Sequence, residues 1–220
     1  MSGPQVGPMP AWRRAVYRVL RAVLEAWCRT FWRMEVRGRE RLPVTGPFIL
    51  APVHRSNIDF AIAGASVPRV MRFMAKNSLW KVAWAGAFFE AMGAFPVDRE
   101  HADRAALRNC EQALAAGDPV VMFPEGRRRS GEVVEEVQDG PAWVACRNRV
   151  PVVPVGFAGT DEAMPIGSKL LHPAKVKVLI GEPIHPDVPL TGRVPRRVIT
   201  EFSERIRKEV QALYDEVRAD

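Results

Sequence analysis

The sequence predicts a single α/β domain in which helices flank a central mixed, largely parallel sheet. Apolar runs of strand character alternate along the chain with segments of helical spacing, which is the order that builds such sheets. At 220 residues and 47% apolar composition, the chain can bury one sizeable core but is short for two. We therefore expect one domain, over residues 35–220, preceded by an N-terminal helix.

That helix is predicted over residues 11–34, after a Pro- and Gly-rich segment, residues 1–10, that we expect to be disordered. Its apolar residues recur every three or four positions, opposite a polar stripe made of Arg14, Arg18, Arg21, Glu25 and Arg29. A basic face opposite Trp and Phe is typical of a helix in the interface of a membrane with anionic lipids. A docking helix with a solvated basic face fits the same pattern.

Positive charge is concentrated in this N-terminal region. Residues 1–41 hold nine arginines and three glutamates, a net of +6 in a chain of net charge +7. No run of about 18 apolar residues predicts a spanning helix. Nucleic-acid binding is disfavoured, because the charge is confined to a helix that carries tryptophans on its other face.

The first half of the domain is predicted to alternate strands and helices. Residues 34–43 fit a short strand and turn, and the apolar run 46–53 fits a buried strand. Helical spacing follows over residues 57–67. A strand-like run, an apolar helix and a short extended segment complete this half, over residues 69–79, 80–93 and 94–99.

The second half opens with a helix over residues 101–116, which turns Ala106, Cys110 and Leu114 inward and ends at Gly117. Strands are predicted over residues 119–126, 150–159 and 174–184, and helices over residues 140–149 and 195–218. The apolar face of the last helix consists of Ile199, Phe202, Ile206, Val210, Leu213 and Val217.

The stretch "HRSNIDF", His54 to Phe60, follows the strand predicted at 46–53 and has two interpretations. His54 and Asp59 could be a general base and its orienting carboxylate, provided that the chain turns between them. Ser56 and Asp59 also fit the Ser-x-x-Asp box that starts a helix. The two interpretations are compatible, since a strand-to-helix turn supplies that bend.

Arginines and one glutamate follow other strand ends. Arg99 and residues 127–129, all arginines, lie next to Pro and Gly, and a planar guanidinium fork suits a phosphate. A solvated surface charge is the alternative for each arginine. Glu125 lies between Pro124 and Gly126, so its carboxylate is placed for a hydroxyl or for those arginines.

No metal centre or disulfide framework is predicted. Cys28, Cys110 and Cys146 are scattered, without a CxxC pair or a nearby histidine, which is typical of a reducing, cytoplasmic setting. The sequence has no GxSxG, GxxxxGK[ST] or HExxH motif. The remaining aromatic cluster is expected to be core or membrane-facing: Trp80, Trp84, Phe88 and Phe89.

Four motifs at these strand ends resemble the glycerolipid acyltransferase family typified by 1-acyl-sn-glycerol-3-phosphate acyltransferases, over roughly residues 34–183. The first, H-x4-D, is His54 to Asp59. The second is "GAFPVDR", which ends in Arg99 and is preceded by Lys76 at the family's usual lysine. The third is "FPEG" and the fourth "VPVVPV", residues 150–155. H-x4-D alone is weak evidence for this family, but four motifs in this order are highly specific for it.

The resemblance implies an O-acyltransferase in which His54, oriented by Asp59, is the general base. A lysophospholipid hydroxyl would attack the thioester of acyl-CoA or acyl carrier protein, with no metal or bound cofactor. Substrate binding is implied for Lys76, Arg99, Glu125, Gly126, Arg127, Arg128, Val153 and Pro154. An apolar groove for the acyl chain is expected near residues 83–93, and the protein is expected on the cytoplasmic side of the cell membrane.

The third motif departs from the family's F-P-E-G-T-R-S, because this chain reads "FPEGRRRS", with Arg127 and Arg129 in place of small hydroxyl residues. The expected acceptor is 1-acyl-sn-glycerol-3-phosphate, giving phosphatidate. Another phospholipid or glycolipid hydroxyl is the alternative that the added charge leaves open. A non-catalytic lipid-binding protein of the same fold is a further alternative, although it has no need of His54, Asp59 and Glu125 together.

Overall fold

The computed structural model describes residues 7–81, 83–97, 104–168, 170–189 and 192–220. Its strands are β1 (Glu35–Arg37), β2 (Ile49–Pro52), β3 (Arg72–Lys76), β4 (Ala94–Val97), β5 (Val120–Val121), β6 (Val152–Ala158) and β7 (Lys177–Ile180). Its helices are α1 (Ala11–Phe31), α2 (Asp59–Ser66), α3 (Ala83–Ala91), α4 (Arg104–Ala115), α5 (Gly140–Asn148), α6 (Thr160–Ala163) and α7 (Arg196–Ala219).

The strands form one mixed sheet in the order β1-β7-β6-β2-β5-β3-β4. Strands β2 to β6 are mutually parallel, β7 is antiparallel to β6, and β1 is parallel to β7. The predicted single α/β domain with a largely parallel sheet is therefore confirmed. Because β1 and β7 begin where the other strands end, the segments after β2, β5 and β6 share one edge of the sheet with the end of α1.

The core lies between this sheet and its helices. All four residues of β2 are buried, as expected of a central strand covered on both faces. The predicted apolar face of the last helix is also buried. Helix α7 approaches β6 closely, since a Cβ at Gly156 would lie 2.5 Å from the carbonyl oxygen of Leu213. Gly156 therefore permits the contact that seats the C-terminal helix.

Several predicted elements differ in extent from the structure, among them a strand and a helix of the second half. The strand predicted over residues 119–126 pairs only at Val120 and Val121, because the chain turns at residues 123–126, where the Gly126 N–H donates to the Phe123 carbonyl. Helix α4 begins at Arg104, and the first residues of its predicted range, 101–103, lie outside the described residues.

The three cysteines are free and buried. Burial raises the thiol pKa of Cys28 and of Cys110 to about 12, and that of Cys146 to about 11. A neutral thiol is a poor nucleophile, so none of these side chains is suited to covalent catalysis.

Helix α1 is shorter than predicted, and the chain before it is packed. It ends at Phe31, where the Trp32 and Met34 N–H groups both donate to the Cys28 carbonyl and Arg33 has a φ of 46°. Met9, in the segment expected to be disordered, is buried with Tyr17 and Val70. The described part of residues 1–10 is thus attached to the domain.

Helix α1 turns much of its polar stripe toward the domain. Arg14 pairs with the buried Asp118 at 2.7 Å, and Glu25 pairs with Arg21 at 2.7 Å and with Arg39 at 2.8 Å. Burial tends to raise the pKa of Glu25, but hydrogen bonds from Arg39 and Arg21 outweigh it and hold this pKa at about 2.

The outward face of α1 is apolar. Its exposed large apolar side chains, here called the apolar strip, are Trp12, Val16, Val19, Val23 and Trp27. Val19 and Val23 are 63% and 62% exposed. Arg18 and Arg29 of the polar stripe stay exposed at the border of this face, so the alternative of a docking helix with a solvated basic face still fits part of the stripe. No helix among the described residues is both long and apolar enough to cross a membrane.

Candidate active site

Strand β2 leads directly to His54, and helix α2 begins with Asp59. The Nδ1 atom of His54 lies 2.8 Å from Oδ2 of Asp59, whose side chain is completely buried. The chain turns between the two residues, as the spacing required, so the pair forms although five positions separate them. This places an imidazole and a fixed carboxylate at the carboxyl edge of the sheet.

Asp59 also holds the turn that brings it to His54. Its Oδ2 accepts hydrogen bonds from the backbone N–H groups of Arg55 at 2.6 Å and Ser56 at 2.7 Å. The Ser56 hydroxyl donates instead to the Met164 carbonyl at 2.7 Å, so only half of a capping box is formed. The carboxylate of Asp59 thus meets both the geometry of a cap and that of an orienting partner.

The ring of His54 is oriented on two sides. With the acceptor Asp59 at Nδ1, the proton of a neutral imidazole is assigned to Nδ1, which leaves the Nε2 lone pair free. Phe123 stacks on the ring with 4.0 Å between centroids and 22° between planes. Among the described residues, Nε2 has no hydrogen-bond partner, and the side chain is 12% exposed. The free nitrogen is therefore suited to accept a proton from a bound molecule.

Glu125 lies beside the His54 backbone, and its carboxylate accepts hydrogen bonds from two protein donors. Its Oε2 accepts from the His54 N–H at 2.8 Å, and its Oε1 accepts from the Arg55 guanidinium at 2.6 Å. Both side chains of the Arg55–Glu125 pair are buried. The sequence analysis expected a hydroxyl or residues 127–129 as partners of Glu125, whereas the observed cation is Arg55.

Arg55 is a site residue that the sequence analysis missed. Its remaining donors reach the carbonyls of Gly131 and Val133, both at 3.1 Å, and its guanidinium lies 4.9 Å from the centroid of the Tyr214 ring. The available signal was an arginine between a buried strand and a helix start, close to an acid held by Pro and Gly. Arg55 therefore ties together the histidine turn, the glutamate and the loop at residues 131–133.

The arginine loop after Glu125 crosses the same edge. Gly126 has a φ of 67°, and a Cβ there would lie 2.9 Å from Cγ of Gln138, so this position favours glycine. Arg127 and Arg128 are exposed, and neither forms an ion pair with a described residue. Arg129 donates its N–H to the His54 carbonyl at 3.0 Å and pairs with Glu135 at 2.9 Å. Two cationic side chains thus remain available to an anion beside His54.

The other predicted substrate contacts are placed differently. Val153 and Pro154 are buried inside β6, paired with Leu50 and Ala51 of β2, so they support the strand before His54 and present no surface to a ligand. Lys76 ends β3, but its side chain lies outside the described residues, as does all of Arg99.

Two cavities among the described residues lie away from the His54 ring. One of about 630 Å³ lies between the loop at 133–139 and α7, and one of about 250 Å³ lies between residues 7–10 and β4. Neither is lined by His54, and the acyl groove expected near residues 83–93 stays a prediction. Among the described residues, no group of three His, Cys, Asp or Glu side chains could hold a metal ion.

Comparison with known proteins defines the class. The family model for acyltransferases matches residues 33–158, which include His54, Asp59 and the turn at Glu125. The chain therefore belongs to the acyltransferase family, as the four motifs predicted.

Particular relatives share one named activity. The 1-acyl-sn-glycerol-3-phosphate acyltransferase of Bacillus subtilis is 31% identical over 153 residues, which are 69% of this chain and 74% of that protein. The chloroplastic 1-acyl-sn-glycerol-3-phosphate acyltransferase LPAT1 of Arabidopsis thaliana is 30% identical over 159 residues, 70% of this chain and 44% of that protein. The crystal structure of the 1-acyl-sn-glycerophosphate acyltransferase PlsC from Thermotoga maritima matches with a TM-score of 0.70 and 25% identity, over 93% of this chain and 85% of that one.

Proposed function

We propose that this protein transfers an acyl group from a thioester to the free hydroxyl of 1-acyl-sn-glycerol-3-phosphate, giving phosphatidate. Acyl-CoA or acyl carrier protein would supply the thioester. The names of the relatives support the acceptor. The observation that carries the proposal is the contact of 2.8 Å between His54 and the buried Asp59, at an edge that also carries exposed arginines.

In the proposed reaction, Nε2 of His54 accepts the proton of the acceptor hydroxyl while the hydroxyl oxygen attacks the thioester carbonyl. The carbon–sulfur bond then breaks, and the leaving thiolate takes the proton from the imidazolium. An ester and a free thiol result, and His54 returns to its neutral form. The buried carboxylate of Asp59 stabilises the imidazolium between these steps. A positioned base of this kind contributes about 10²- to 10⁴-fold in rate.

Arg127 and Arg128 would bind the phosphate of the acceptor. A guanidinium fork offers two parallel donors to one phosphate, and these two side chains have no carboxylate partner among the described residues. Glu125 would act as a positioning residue, because its oxygens hold the His54 backbone and Arg55. The ion pair of Arg55 and Glu125 would thereby hold the turn that carries His54.

Helix α1 would hold the enzyme on a membrane surface through the apolar strip. Large apolar side chains on one exposed helix face mark an interaction surface, and tryptophans at both ends of such a face suit the bilayer interface. Arg14 and Arg21 are engaged by protein carboxylates. Apolar burial would therefore contribute more to this association than the sequence analysis expected, and attraction to anionic lipids less.

Incubation of the purified protein with acyl-CoA and lysophosphatidate tests the activity, with phosphatidate detected by mass spectrometry. The substitution His54→Ala should lower kcat by about 10²-fold or more. His185→Ala removes an exposed histidine away from the site and should leave kcat unchanged. Full transfer by a folded His54→Ala variant would refute the mechanism.

Two further arms separate the alternatives. A panel of lysolipid acceptors, each with acyl-CoA and with acyl carrier protein as donor, identifies both substrates. If another lysolipid is preferred by kcat/KM, the proposed acceptor is wrong but the reaction type stands. Binding of vesicles without transfer to any acceptor would indicate the non-catalytic lipid-binding protein.

A further inference from the structure

The loop after α6 presents large apolar side chains to solvent. In this segment, residues 164–168 and 170–172 and here called the apolar loop, Leu170 is 69% exposed, Ile166 51% and Leu171 42%. The backbone of the loop is held in place: the Ser168 N–H donates to the Pro165 carbonyl at 3.0 Å, and the His172 N–H donates to Ala163 at 2.8 Å. A fixed loop that exposes three bulky apolar groups marks an interaction surface.

The apolar loop touches both the catalytic turn and the end of α1. At its start, the Met164 carbonyl accepts the Ser56 hydroxyl at 2.7 Å. At its end, the His172 carbonyl accepts the indole N–H of Trp32 at 3.0 Å. The ring of Trp32 in turn lies 4.6 Å from that of Trp27, the last residue of the apolar strip. Trp32 therefore contacts both the apolar loop and the apolar strip.

The topology extends this surface along one edge of the sheet. Strand β6, which precedes the loop, runs parallel to β2, and α1 ends at the same edge because it leads into β1. Phe60, directly after Asp59, is 48% exposed. Exposed apolar groups from α1, α2 and the apolar loop are thus brought to the edge at which His54 lies.

A lipid bilayer is the occupant that this surface fits. Trp27 at its border is a residue type that favours the bilayer interface. The exposed arginines Arg18, Arg29 and Arg33 lie on or next to α1 and are complementary to anionic headgroups. The surface also continues the apolar strip, for which a membrane is the proposed partner.

We propose that the apolar loop is a second membrane contact, which inserts Ile166, Leu170 and Leu171 into the bilayer interface and seats the His54 edge on the lipid surface. This inference rests on the membrane association proposed for α1. With two separated contacts, α1 and the loop, the domain would have a fixed orientation on the bilayer. An acceptor lipid in the headgroup layer that faces the protein would then lie next to His54.

Partition of the full chain into vesicles tests the inference, measured by co-flotation with phosphatidylcholine vesicles and with vesicles of equal parts phosphatidylcholine and phosphatidylglycerol. The variant Leu170→Ser/Leu171→Ser should lower the partition coefficient by about tenfold or more. Val44→Ser is the control, since Val44 is 88% exposed but precedes β2 at the opposite edge. A variant with alanine at both leucine positions should show a smaller loss, and circular dichroism should be unchanged in all.

The outcomes separate this inference from the proposals on which it rests. If Val19→Ser/Val23→Ser weakens binding and the loop variant does not, the second contact is refuted and the α1 contact stands. If the wild-type chain does not bind vesicles, both the α1 contact and the loop contact are refuted. If the loop variant only converts a dimer to a monomer in solution, the surface binds a second copy and the inference is wrong. A tenfold loss in a chain without transferase activity would still support it.

Discussion

Replacement of Glu125 by glutamine tests the buried pair that supports the His54 turn. The side chain keeps its shape but loses its charge and one acceptor oxygen. At present one oxygen of Glu125 accepts from the His54 N–H and the other from Arg55. In the variant, the amide NH2 must face one of these donors, so either the His54 N–H or Nη1 of Arg55 loses its acceptor oxygen on residue 125.

The magnitude follows from burial. The Glu125 and Arg55 side chains are 0% and 1% exposed. Removal of one partner from a buried ion pair costs about 3 to 5 kcal/mol, and the oxygen that glutamine retains places this variant near the lower end. For a domain of this size, 1 kcal/mol lowers Tm by about 2 to 4 °C, so a fall of about 6 to 12 °C is expected.

Thermal unfolding of wild type and Glu125→Gln by circular dichroism measures this loss. Glu201→Gln is the matched control, because its partner Arg197 is 85% exposed and such pairs contribute at most about 1 kcal/mol. We also expect a lower kcat, since the His54 backbone loses its fixed position. A Tm equal to that of the control, together with a raised KM for the acceptor, would refute the positioning role and would indicate that Glu125 contacts substrate.

Three other perturbations follow from the structure. The pKa of Glu25, held at about 2 in the folded chain, means that its contribution to stability is present above its ordinary value of 4.5 and is lost as pH falls toward 2; the Tm advantage of wild type over Glu25→Gln should therefore shrink over this range. Gly126→Ala should lower the free energy of unfolding, measured by chemical denaturation, by about 1 kcal/mol or more. Gly131→Ala is the control, because φ there is 92° but an added Cβ would have no atom within 4 Å, so this variant should show the backbone strain alone. Equal losses in the two variants would exclude a clash with Gln138. Arg127→Ala should raise KM for lysophosphatidate with little change in kcat in steady-state assays, and an unchanged KM would remove this residue from the phosphate site.

Periodicity predicted most elements of the fold. Helix α7 was correctly placed because its six apolar positions recur every three or four residues over a long segment, and all six are buried. Strand β5 was predicted too long because Met122 and Phe123 continue the apolar pattern beyond the last paired residue. The local signal for the turn was the pair Pro124 and Gly126, since both residue types favour turns, and it marks the true end of the strand better than the apolar pattern does.

The orientation of α1 could not be read from its amphipathic pattern. The pattern separates the two faces of a helix but does not say which one meets the domain. Here part of the polar face meets it, together with the buried Tyr17 and Cys28, because Asp118 and Arg39, far away in sequence, supply partners for Arg14 and Glu25. Those partners are single charged residues in unrelated segments, and only the folded chain brings them together.

The His54 turn shows how one carboxylate meets the geometry that both interpretations of the motif require. An aspartate at a helix start favours the backbone N–H groups before it, and the same carboxylate is close enough to an imidazole only if those N–H groups have already folded the chain back. One oxygen of Asp59 accepts from Arg55, Ser56 and His54 together. An asparagine at this position would keep an acceptor for one or two of these groups but would carry no charge to stabilise an imidazolium. Asp59→Asn should therefore cost more free energy in the transition state, calculated from the loss in kcat, than in unfolding, calculated from the fall in Tm. A variant in which Tm falls but kcat per folded molecule is unchanged would leave Asp59 with the structural role alone.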